Sequence, residues 1–209
     1  MSFEGGATFF SRTRVIPLLT PSSVESGVTV SRLLFDAGLK MQEIALRTAS
    51  AVDTIATLRK ELPGLVIGAG SVHTLDLAES ALRAGAQFLV SAGTTEQMLT
   101  FATQCEAPFL PGVATPSEIM RAQELGCEVA KLFPAEALGG TRFLRSISGP
   151  LPTMKFCPTG GIDARLAKDY LQLSNVLAVG GSWMAPAELI IHNRHSEISE
   201  LAAYAARLA

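Results

Sequence analysis

The sequence lacks the features that mark nucleic-acid-binding, membrane-spanning and disulfide-stabilised proteins. Its 209 residues carry 17 basic and 19 acidic side chains, so a net charge of −2 leaves no basic excess for nucleic acid or an anionic membrane. No apolar run is long enough to span a bilayer. The three cysteines are an odd number with no close pair, which indicates reduced thiols. We expect a cytoplasmic protein with no nucleic-acid or membrane partner.

Signals for export and for metal binding are also missing. Residues 1–10 lack the basic start and the long apolar stretch of a secretory signal, in agreement with a cytoplasmic location. The three histidines, His73, His192 and His195, show no grouping typical of a zinc site. The sequence therefore predicts no metal.

The chain is instead rich in apolar residues, at 48%, with few aromatics, at 6%. Short β-branched runs alternate with alanine- and leucine-rich helical patterns. The predicted strands are Arg14–Thr20, Met41–Leu46, Leu65–Gly68, Gln87–Ser91, Phe109–Pro111, Glu128–Phe133, Met154–Cys157 and Val176–Val179. Predicted helices include Ser23–Ala37, Ala49–Leu62, Leu75–Ala84, Pro116–Leu125, Arg142–Ile147 and a closing helix at Ser196–Leu208. The strands are apolar on both faces, which indicates a parallel sheet covered on both sides.

The spacing of these strands predicts the architecture. Successive strands lie roughly 20–25 residues apart, one strand–helix unit each. Several helices end at a glycine that leads into the next strand, at Gly38, Gly85 and Gly126. Eight units in so short a chain predict an α/β fold, a (β/α)8 TIM barrel that forms a single domain over residues 1–209. An open doubly wound sheet is the alternative, because it has the same alternation.

Lys131 is the most informative residue of the chain. It lies near the end of a short apolar run, Glu128–Phe133, that Pro134 closes. Burial disfavours the ammonium form, and a neutral amine at a strand's carboxyl end can attack a ketone and form a Schiff base. The alternative is a strand-end lysine whose buried stem carries its ammonium out to water.

The second predicted strand ends with two charged side chains. Strand alternation places Glu43, Ala45 and Arg47 on one face. Catalytic residues of a barrel lie at the carboxyl ends of its strands. If that face is the interior, a carboxylate and a guanidinium enter the same cavity as Lys131. A surface ion pair is the alternative.

The ends of strands three and five have different interpretations. Gly68 and Gly70 would let the backbone approach a ligand closely, and Ser71 offers a hydroxyl, although a tight turn is equally compatible. After strand five, Thr115 and Glu118 form the pattern of a capping box, which predicts a helix start there.

Glycine pairs follow the last two predicted strands, within Thr159–Gly161 and Gly180–Ser182. Barrel enzymes commonly bind a phosphate there with backbone amides and a helix N-terminus. Either pair alone is ordinary turn chemistry. Because both pairs adjoin a hydroxyl side chain, we expect a phosphate or similar anion at this position.

Six motifs in order carry a resemblance to a known family. They are EIALRT at 43–48, IGAGS at 67–71, PGVATPSE at 111–118, KLFPAE at 131–136, PTGGI at 158–162 and VGGSW at 179–183. In identity, order and spacing they resemble the 2-keto-3-deoxy-6-phosphogluconate (KDPG) aldolase family, which includes 4-hydroxy-2-oxoglutarate (KHG) aldolases. The resemblance implies a class I aldolase, a homotrimer of (β/α)8 barrels that needs no metal and no cofactor.

The resemblance also implies a reaction and its residues. The enzyme would cleave KDPG to pyruvate and glyceraldehyde 3-phosphate, and also KHG to pyruvate and glyoxylate. Lys131 would form the Schiff base and Glu43 would be the general acid/base. Arg47 and Ser71 would hold the pyruvate carboxylate. The other substrate-binding residues would be Ala92 and Phe133 in the wall, Thr159 near the substrate hydroxyls, and Gly160, Gly161, Gly181 and Ser182 at the phosphate.

Two positions depart from the family pattern. Ser71 stands where threonine is usual and keeps the hydroxyl. Ala92 stands where proline is usual, which frees φ and adds an amide donor at the substrate wall. The second change bears on fine specificity and rate, and it removes no catalytic group.

Several related functions remain open. Within the family, the C4-epimeric galactonate substrate is an alternative, although Thr159 favours the gluconate epimer by resemblance. The glycine pairs and Ser182 favour a phosphorylated substrate over an unphosphorylated one. Outside the family, a phosphosugar epimerase or isomerase would share the phosphate site without an imine, and a non-catalytic binding protein would keep only the pocket.

Overall fold

The computed structural model describes residues 6–208. Two expectations concern residues outside this range. The absence of an export signal is inferred from residues 1–10, which include Met1–Gly5, and the predicted domain limits include Met1–Gly5 and Ala209.

The strands of residues 6–208 pair only in parallel. A six-stranded sheet has the order β5-β4-β3-β2-β1-β9, and a three-stranded sheet has the order β6-β7-β8. The strands are β1 (Val15–Leu19), β2 (Met41–Ala45), β3 (Val66–Gly70), β4 (Phe88–Val90), β5 (Phe109–Leu110), β6 (Gly112–Val113), β7 (Val129–Leu132), β8 (Lys155–Phe156) and β9 (Val179–Gly181). The predicted α/β fold with a buried parallel sheet is confirmed.

The two sheets are connected at both of their ends. The fifth predicted strand is split into β5 and β6 by Pro111, which has no N–H to donate to a ladder. The Pro111 carbonyl still accepts from the Lys131 amide at 2.8 Å. On the other side, isolated parallel bridges join Phe156 to Val176 and Thr159 to Gly180.

Helices follow the strands as expected, and four of them were not among the predicted helices: α1, α5, α8 and α9. The helices are α1 (Gly6–Phe10), α2 (Val24–Asp36), α3 (Ala51–Glu61), α4 (Leu75–Arg83), α5 (Glu96–Gln104), α6 (Pro116–Glu124), α7 (Gly140–Ser148), α8 (Ala164–Leu171), α9 (Ala187–Ile191) and α10 (His195–Ala206), with a 3₁₀ turn at Glu136–Leu138. The predicted closing helix is α10, which packs on α2. No helix of residues 6–208 is long and apolar enough to cross a bilayer.

The helix ends have the chemistry that the sequence predicted. The capping box of α6 is complete, since Thr115 accepts from the Glu118 amide and the Glu118 carboxylate accepts from the Thr115 amide. The three glycines that follow α2, α4 and α6 have positive φ, as a left-handed helix end requires: Gly38, Gly85 and Gly126.

Two strand ends lie further along the chain than predicted. Strand three continues two residues beyond Gly68 to Gly70, and strand eight occupies Val179–Gly181 rather than Val176–Val179. In both cases glycines that suggested a loop belong to the strand, and Cβ atoms at Gly70 and Gly180 would collide with the side chains of Glu43 and Thr159.

An apolar cluster lies on the same strand faces as the predicted catalytic residues. Met41 precedes Glu43 by two positions on β2, and Val129 precedes Lys131 by two on β7. Both apolar side chains belong to one buried cluster, which α1 joins through Phe10. The Phe10 ring packs edge-on against Phe88 with 5.5 Å between ring centroids. The two charged residues are thus held above a rigid apolar layer.

Candidate active site

Lys131 and Glu43 form a buried pair. Lys131 Nζ lies 3.4 Å from Glu43 Oε1, and the residues are 4% and 2% exposed. Burial of both charged groups excludes a lysine that extends to water, and it excludes a surface ion pair between Glu43 and Arg47. A buried charge requires a partner, and here each group provides it for the other.

Gly70 makes the space that the Glu43 carboxylate occupies. A Cβ at Gly70 would lie 2.0 Å from Glu43 Oε1 and 2.6 Å from its carboxyl carbon. Glu43 on β2 pairs with Gly68 on β3, and Ala45 pairs with Gly70, so the Glu43 side chain reaches diagonally along the adjacent strand to Gly70. The sequence suggested that this glycine lets a ligand approach, whereas it accommodates the side chain of Glu43.

Two further side chains flank Lys131. The Phe133 ring centroid is 5.5 Å from Lys131 Nζ, close enough for a cation–π contact while the amine is protonated. Cys157 on the neighbouring strand end is fully buried, and burial raises the pKa of its thiol to about 12. A backbone hydrogen bond with Ala178 and the charge of Lys131 lower that pKa to a smaller extent, and the charge of Glu43 raises it. Cys157 is therefore a neutral thiol near pH 7.

Arg47 and Ser71 meet at the ends of β2 and β3. Arg47 Nε donates to Ser71 Oγ at 2.7 Å, and the Arg47 side chain is exposed. β2 ends at Ala45, where the Arg47 amide turns back to the Ala45 carbonyl at 2.8 Å. Strand alternation therefore cannot orient Arg47, and the prediction that placed it on the face of Glu43 by alternation is corrected.

His73 is a neighbour of this pair that the sequence analysis did not select. Its Nδ1 lies 2.9 Å from the Ser71 carbonyl oxygen, which only accepts, so Nδ1 carries the proton. Ser71 itself has φ of +57°, a conformation that a non-glycine residue rarely adopts. The contacts to Arg47 and His73 hold Ser71 in it.

Ala92 lies in the exposed loop that follows β4. The loop approaches Gly112 closely, since a Cβ there would lie 2.1 Å from the Ala92 carbonyl oxygen. Thr94 Oγ1 donates to the Gly112 carbonyl at 2.8 Å. This bond anchors the loop on β6, the strand that precedes the lysine strand β7.

The segment Thr159–Gly161 follows β8 and has the geometry of an anion-binding turn. Gly160 and Gly161 have φ of +105° and +78°. Among residues 6–208, the amides of these two glycines donate no hydrogen bond. Two consecutive free amides in such a turn can converge on an anion.

Thr159 and the second glycine pair lie side by side. Thr159 is 7% exposed and bridges to Gly180. A Cβ at Gly180 would lie 2.3 Å from Thr159 Oγ1, so this glycine makes space for the threonine side chain. Gly181 ends β9 next to it, and Ser182 is exposed just beyond. The bridge thus brings both glycine pairs to one edge of the sheets.

No group of three or more His, Cys, Asp or Glu side chains within residues 6–208 could hold a metal ion. The described residues form a parallel α/β protein with a buried amine–carboxylate pair at its centre.

Comparison with known proteins gives the family. The sequence model of a family described as "Aldolase: KDPG and KHG aldolase" matches residues 8–201. The KHG/KDPG aldolase of Escherichia coli (strain K12) is 40% identical over 188 residues, which are 90% of this chain and 88% of the relative. The chain therefore belongs to the KDPG and KHG aldolase family.

Solved structures of similar proteins agree with this assignment. KDPG aldolase from Legionella pneumophila, with pyruvate captured at low pH as a covalent carbinolamine intermediate, is 38% identical, with a TM-score of 0.91 over 95% of this chain and 96% of that chain. The KDPG aldolase of Zymomonas mobilis ZM4 with 3-phosphoglycerate is 33% identical, with a TM-score of 0.92 over 100% of this chain and 98% of that chain.

Proposed function

We propose that the protein is a class I aldolase that cleaves KDPG to pyruvate and glyceraldehyde 3-phosphate, and that it also cleaves KHG to pyruvate and glyoxylate. The observation that carries the proposal is the buried pair of Lys131 and Glu43, 3.4 Å apart, in a chain of the KDPG and KHG aldolase family. The covalent pyruvate adduct of the Legionella pneumophila relative supports an amine nucleophile.

We also infer that the two parallel sheets form one closed (β/α)8 barrel in which β5 and β6 count as a single strand. The hydrogen bond from the Lys131 amide to Pro111 supports closure on one side. The bridges of Phe156 to Val176 and of Thr159 to Gly180 support it on the other. In such a barrel, all the site residues lie at the carboxyl ends of the strands.

The proposed reaction begins at Lys131. Its neutral Nζ attacks the C2 carbonyl of the substrate and forms a carbinolamine. Loss of water gives an iminium ion, which Glu43 stabilises as a nearby carboxylate while it transfers the protons of this step. Because the pair is buried, the carboxylate acts on the cation with little screening by water.

The iminium then accepts the electrons of the breaking bond. A base removes the proton of the C4 hydroxyl, the C3–C4 bond breaks, and glyceraldehyde 3-phosphate leaves. The electron pair of the broken C3–C4 bond stays with C3 and converts the iminium of Lys131 into an enamine. Protonation at C3 and hydrolysis release pyruvate and the free amine. Glu43 is the group best placed for these transfers, since its Oε1 is the acceptor nearest to Lys131 Nζ.

The remaining substrate contacts follow the same arrangement. In this proposal, Arg47 and Ser71 bind the carboxylate, Ala92 and Phe133 form the wall, and Thr159 contacts the hydroxyls. The phosphate is bound at Gly160, Gly161, Gly181 and Ser182. The free amides of Gly160 and Gly161 support this assignment, as does the 3-phosphoglycerate in the relative from Zymomonas mobilis.

Borohydride reduction in the presence of pyruvate tests the function. We expect a stable mass adduct that maps to Lys131, because reduction traps the iminium. The variant Lys131→Arg keeps the charge beside Glu43 and should form none. Lys155, a half-buried lysine at the start of β8 whose Nζ donates to the Ser174 carbonyl, serves as the control, since Lys155→Arg should leave the adduct unchanged.

Absence of an adduct on Lys131 would exclude the proposed chemistry and would favour an epimerase or isomerase. If the adduct forms, comparison of kcat/KM for KDPG, its galactonate epimer and KHG identifies the substrate.

We further propose that the enzyme is a cytoplasmic homotrimer. The family resemblance supports the trimer. The free thiols of Cys105, Cys127 and Cys157 support a reducing compartment.

A further inference from the structure

Glu136 and Tyr170 form a contact that the proposed chemistry does not use. The Tyr170 hydroxyl donates to Glu136 Oε1 across 34 residues of sequence. Glu136 begins the 3₁₀ turn that follows β7, the strand of Lys131, whereas Tyr170 lies on α8, the helix that follows the Thr159–Gly161 segment. Tyr170 is fully buried. The contact therefore joins the lysine strand to the elements around the glycine turn.

We propose that Glu136 and Tyr170 are positioning residues that hold the Thr159–Gly161 segment in the shape that binds the substrate phosphate, at a fixed distance from Lys131. This inference rests on the proposed function, because it takes the phosphate site as given. It adds a role for two residues that touch neither the phosphate nor the reacting atoms.

Backbone hydrogen bonds join the turn after β7 to the Thr159–Gly161 segment. The Ala135 amide donates to the Thr159 carbonyl at 2.8 Å, and the Glu136 amide donates to the Gly160 carbonyl at 3.1 Å. These bonds orient the Thr159 and Gly160 carbonyls toward the turn. The amides of Gly160 and Gly161 are thereby left to face away from it.

The Glu136 side chain fills the space behind the same segment. A Cβ at Gly161 would lie 2.8 Å from Glu136 Cβ, and one at Gly140 would lie 2.6 Å from Glu136 Oε1. The Glu136 side chain therefore lies between two glycine backbones, with its Cβ and Cγ beside Gly161 and its carboxylate beside Gly140. Rotation of the Glu136 side chain would move its Cγ and carboxylate away from the two glycines.

Tyr170 fixes the orientation of that carboxylate. A carboxylate near an anion site would repel the phosphate unless it pointed away and had a donor of its own. Burial raises the pKa of Tyr170 well above its usual value, and the hydrogen bond to Glu136 raises it further. The phenol therefore stays protonated and remains the donor.

The test separates the phosphate end of the site from the imine end. Tyr170→Phe removes the hydroxyl and keeps the buried ring. Glu136→Ala keeps the Cβ behind Gly161 but removes the Cγ, the carboxylate against Gly140 and the acceptor of the Tyr170 hydroxyl. Glu136→Gln keeps a carbonyl oxygen that can accept from Tyr170. Tyr204→Phe on α10 is the matched control, because it makes the same chemical change away from the glycine segment.

We expect Tyr170→Phe and Glu136→Ala to raise KM for KDPG about 10-fold, as loss of one hydrogen bond to a charged group implies, with kcat within about twofold of the parent. KM for the unphosphorylated KHG should stay unchanged. Glu136→Gln and Tyr204→Phe should behave as the parent. This pattern would not arise from a general loss of stability.

Two results would overturn the inference. The first is that Tyr170→Phe and Glu136→Ala change KM equally for KDPG and KHG, or change neither, which would leave the pair without a role at the phosphate. The second is an about 10-fold rise in KM for KDPG in Glu136→Gln, which would point to the charge of Glu136 instead. The borohydride adduct with pyruvate, measured on the same samples, identifies the cause. An adduct in the parent together with either result rejects only this inference, whereas no adduct in the parent rejects the proposed function as well.

Discussion

At the scale of single residues, the site depends on one pair of opposite charges with very little access to water. A buried ion pair is not a strong source of stability, because the loss of hydration offsets much of the attraction. Its retention at 3.4 Å between Lys131 and Glu43 is better explained by chemistry that needs an amine and a carboxylate in one dry cavity.

Glu43→Gln tests the part that the carboxylate takes. The amide has the same shape but cannot accept and return protons, and it leaves the iminium without a counter-charge. We expect kcat for KDPG cleavage to fall by about 10²–10⁴-fold, the usual contribution of a positioned acid/base, while the protein stays folded by circular dichroism. Glu128→Gln, at an exposed position just before β7, makes the same change and should have no effect. A near-normal rate in Glu43→Gln would remove Glu43 from the mechanism.

At the scale of elements, β2 and β3 position the carboxylate jointly. Glu43 lies on β2, and the space for its side chain exists because β3 has a glycine at position 70. A methyl group there would displace the carboxylate, because contact at 2.0 Å is impossible. The geometry of the amine–carboxylate pair is therefore a property of two strands.

Gly70→Ala should consequently reduce turnover although it touches no substrate. Displacement of Glu43 by about 1 Å should lower kcat by on the order of 10²-fold, as misplacement of a catalytic group does. Gly149→Ala, where a Cβ has open space and φ is −70°, is the matched control and should keep full activity. Steady-state kinetics of both variants, with thermal unfolding to verify the fold, provide the measurement. Unchanged kcat in Gly70→Ala would show that Glu43 tolerates the shift.

The same strands show what sequence patterns can and cannot predict. Apolar runs and spacing predicted the parallel α/β order, because burial on both faces leaves a direct trace in composition. The end of β3 was predicted too early, because Gly70 looks like a loop residue in the sequence. The glycine is needed in the strand to make space for the Glu43 side chain, which is 27 positions away in the chain. Arg47 was oriented by an alternation that ends with β2 at Ala45.

The contacts of the glycine segment were beyond sequence reasoning for a related reason. Glu136 belongs to a motif that carried the resemblance, but its partner Tyr170 lies in a helix that was not predicted at all. Only the packing of α8 against the turn after β7 brings the two together. The sequence was enough to select Lys131 and Glu43, because their chemistry is distinctive. Glu136 and Tyr170 could be brought together only by the fold.

At the scale of the whole molecule, both ends of the proposed substrate site lie on one continuous parallel framework. β7 provides Lys131 and leads directly into the turn that carries the Thr159–Gly161 segment. The distance between imine and phosphate is therefore set by backbone contacts, which suits a substrate of fixed length. Part of the stability of this framework depends on two buried thiols and a buried phenol that remain neutral.

Stability should therefore fall at alkaline pH. Burial raises the pKa of the Cys127 and Cys157 thiols from 9.0 to about 12, and it also raises the pKa of Tyr170. The unfolded chain loses the thiol protons near pH 9 while the folded protein keeps them, so this stability is complete below pH 9 and is lost as the pH rises toward 12.

Urea unfolding at pH 8 and pH 10, under reducing conditions, measures this loss. We expect the free energy of unfolding to fall by about 1.4 kcal/mol per buried thiol at pH 10, since one pH unit above the unfolded pKa corresponds to that amount. The double variant Cys127→Ala/Cys157→Ala should lose much less between the two pH values. Cys105→Ala, at an exposed thiol, should lose as much as the parent. An equal fall in the double variant would show that other groups control alkaline unfolding.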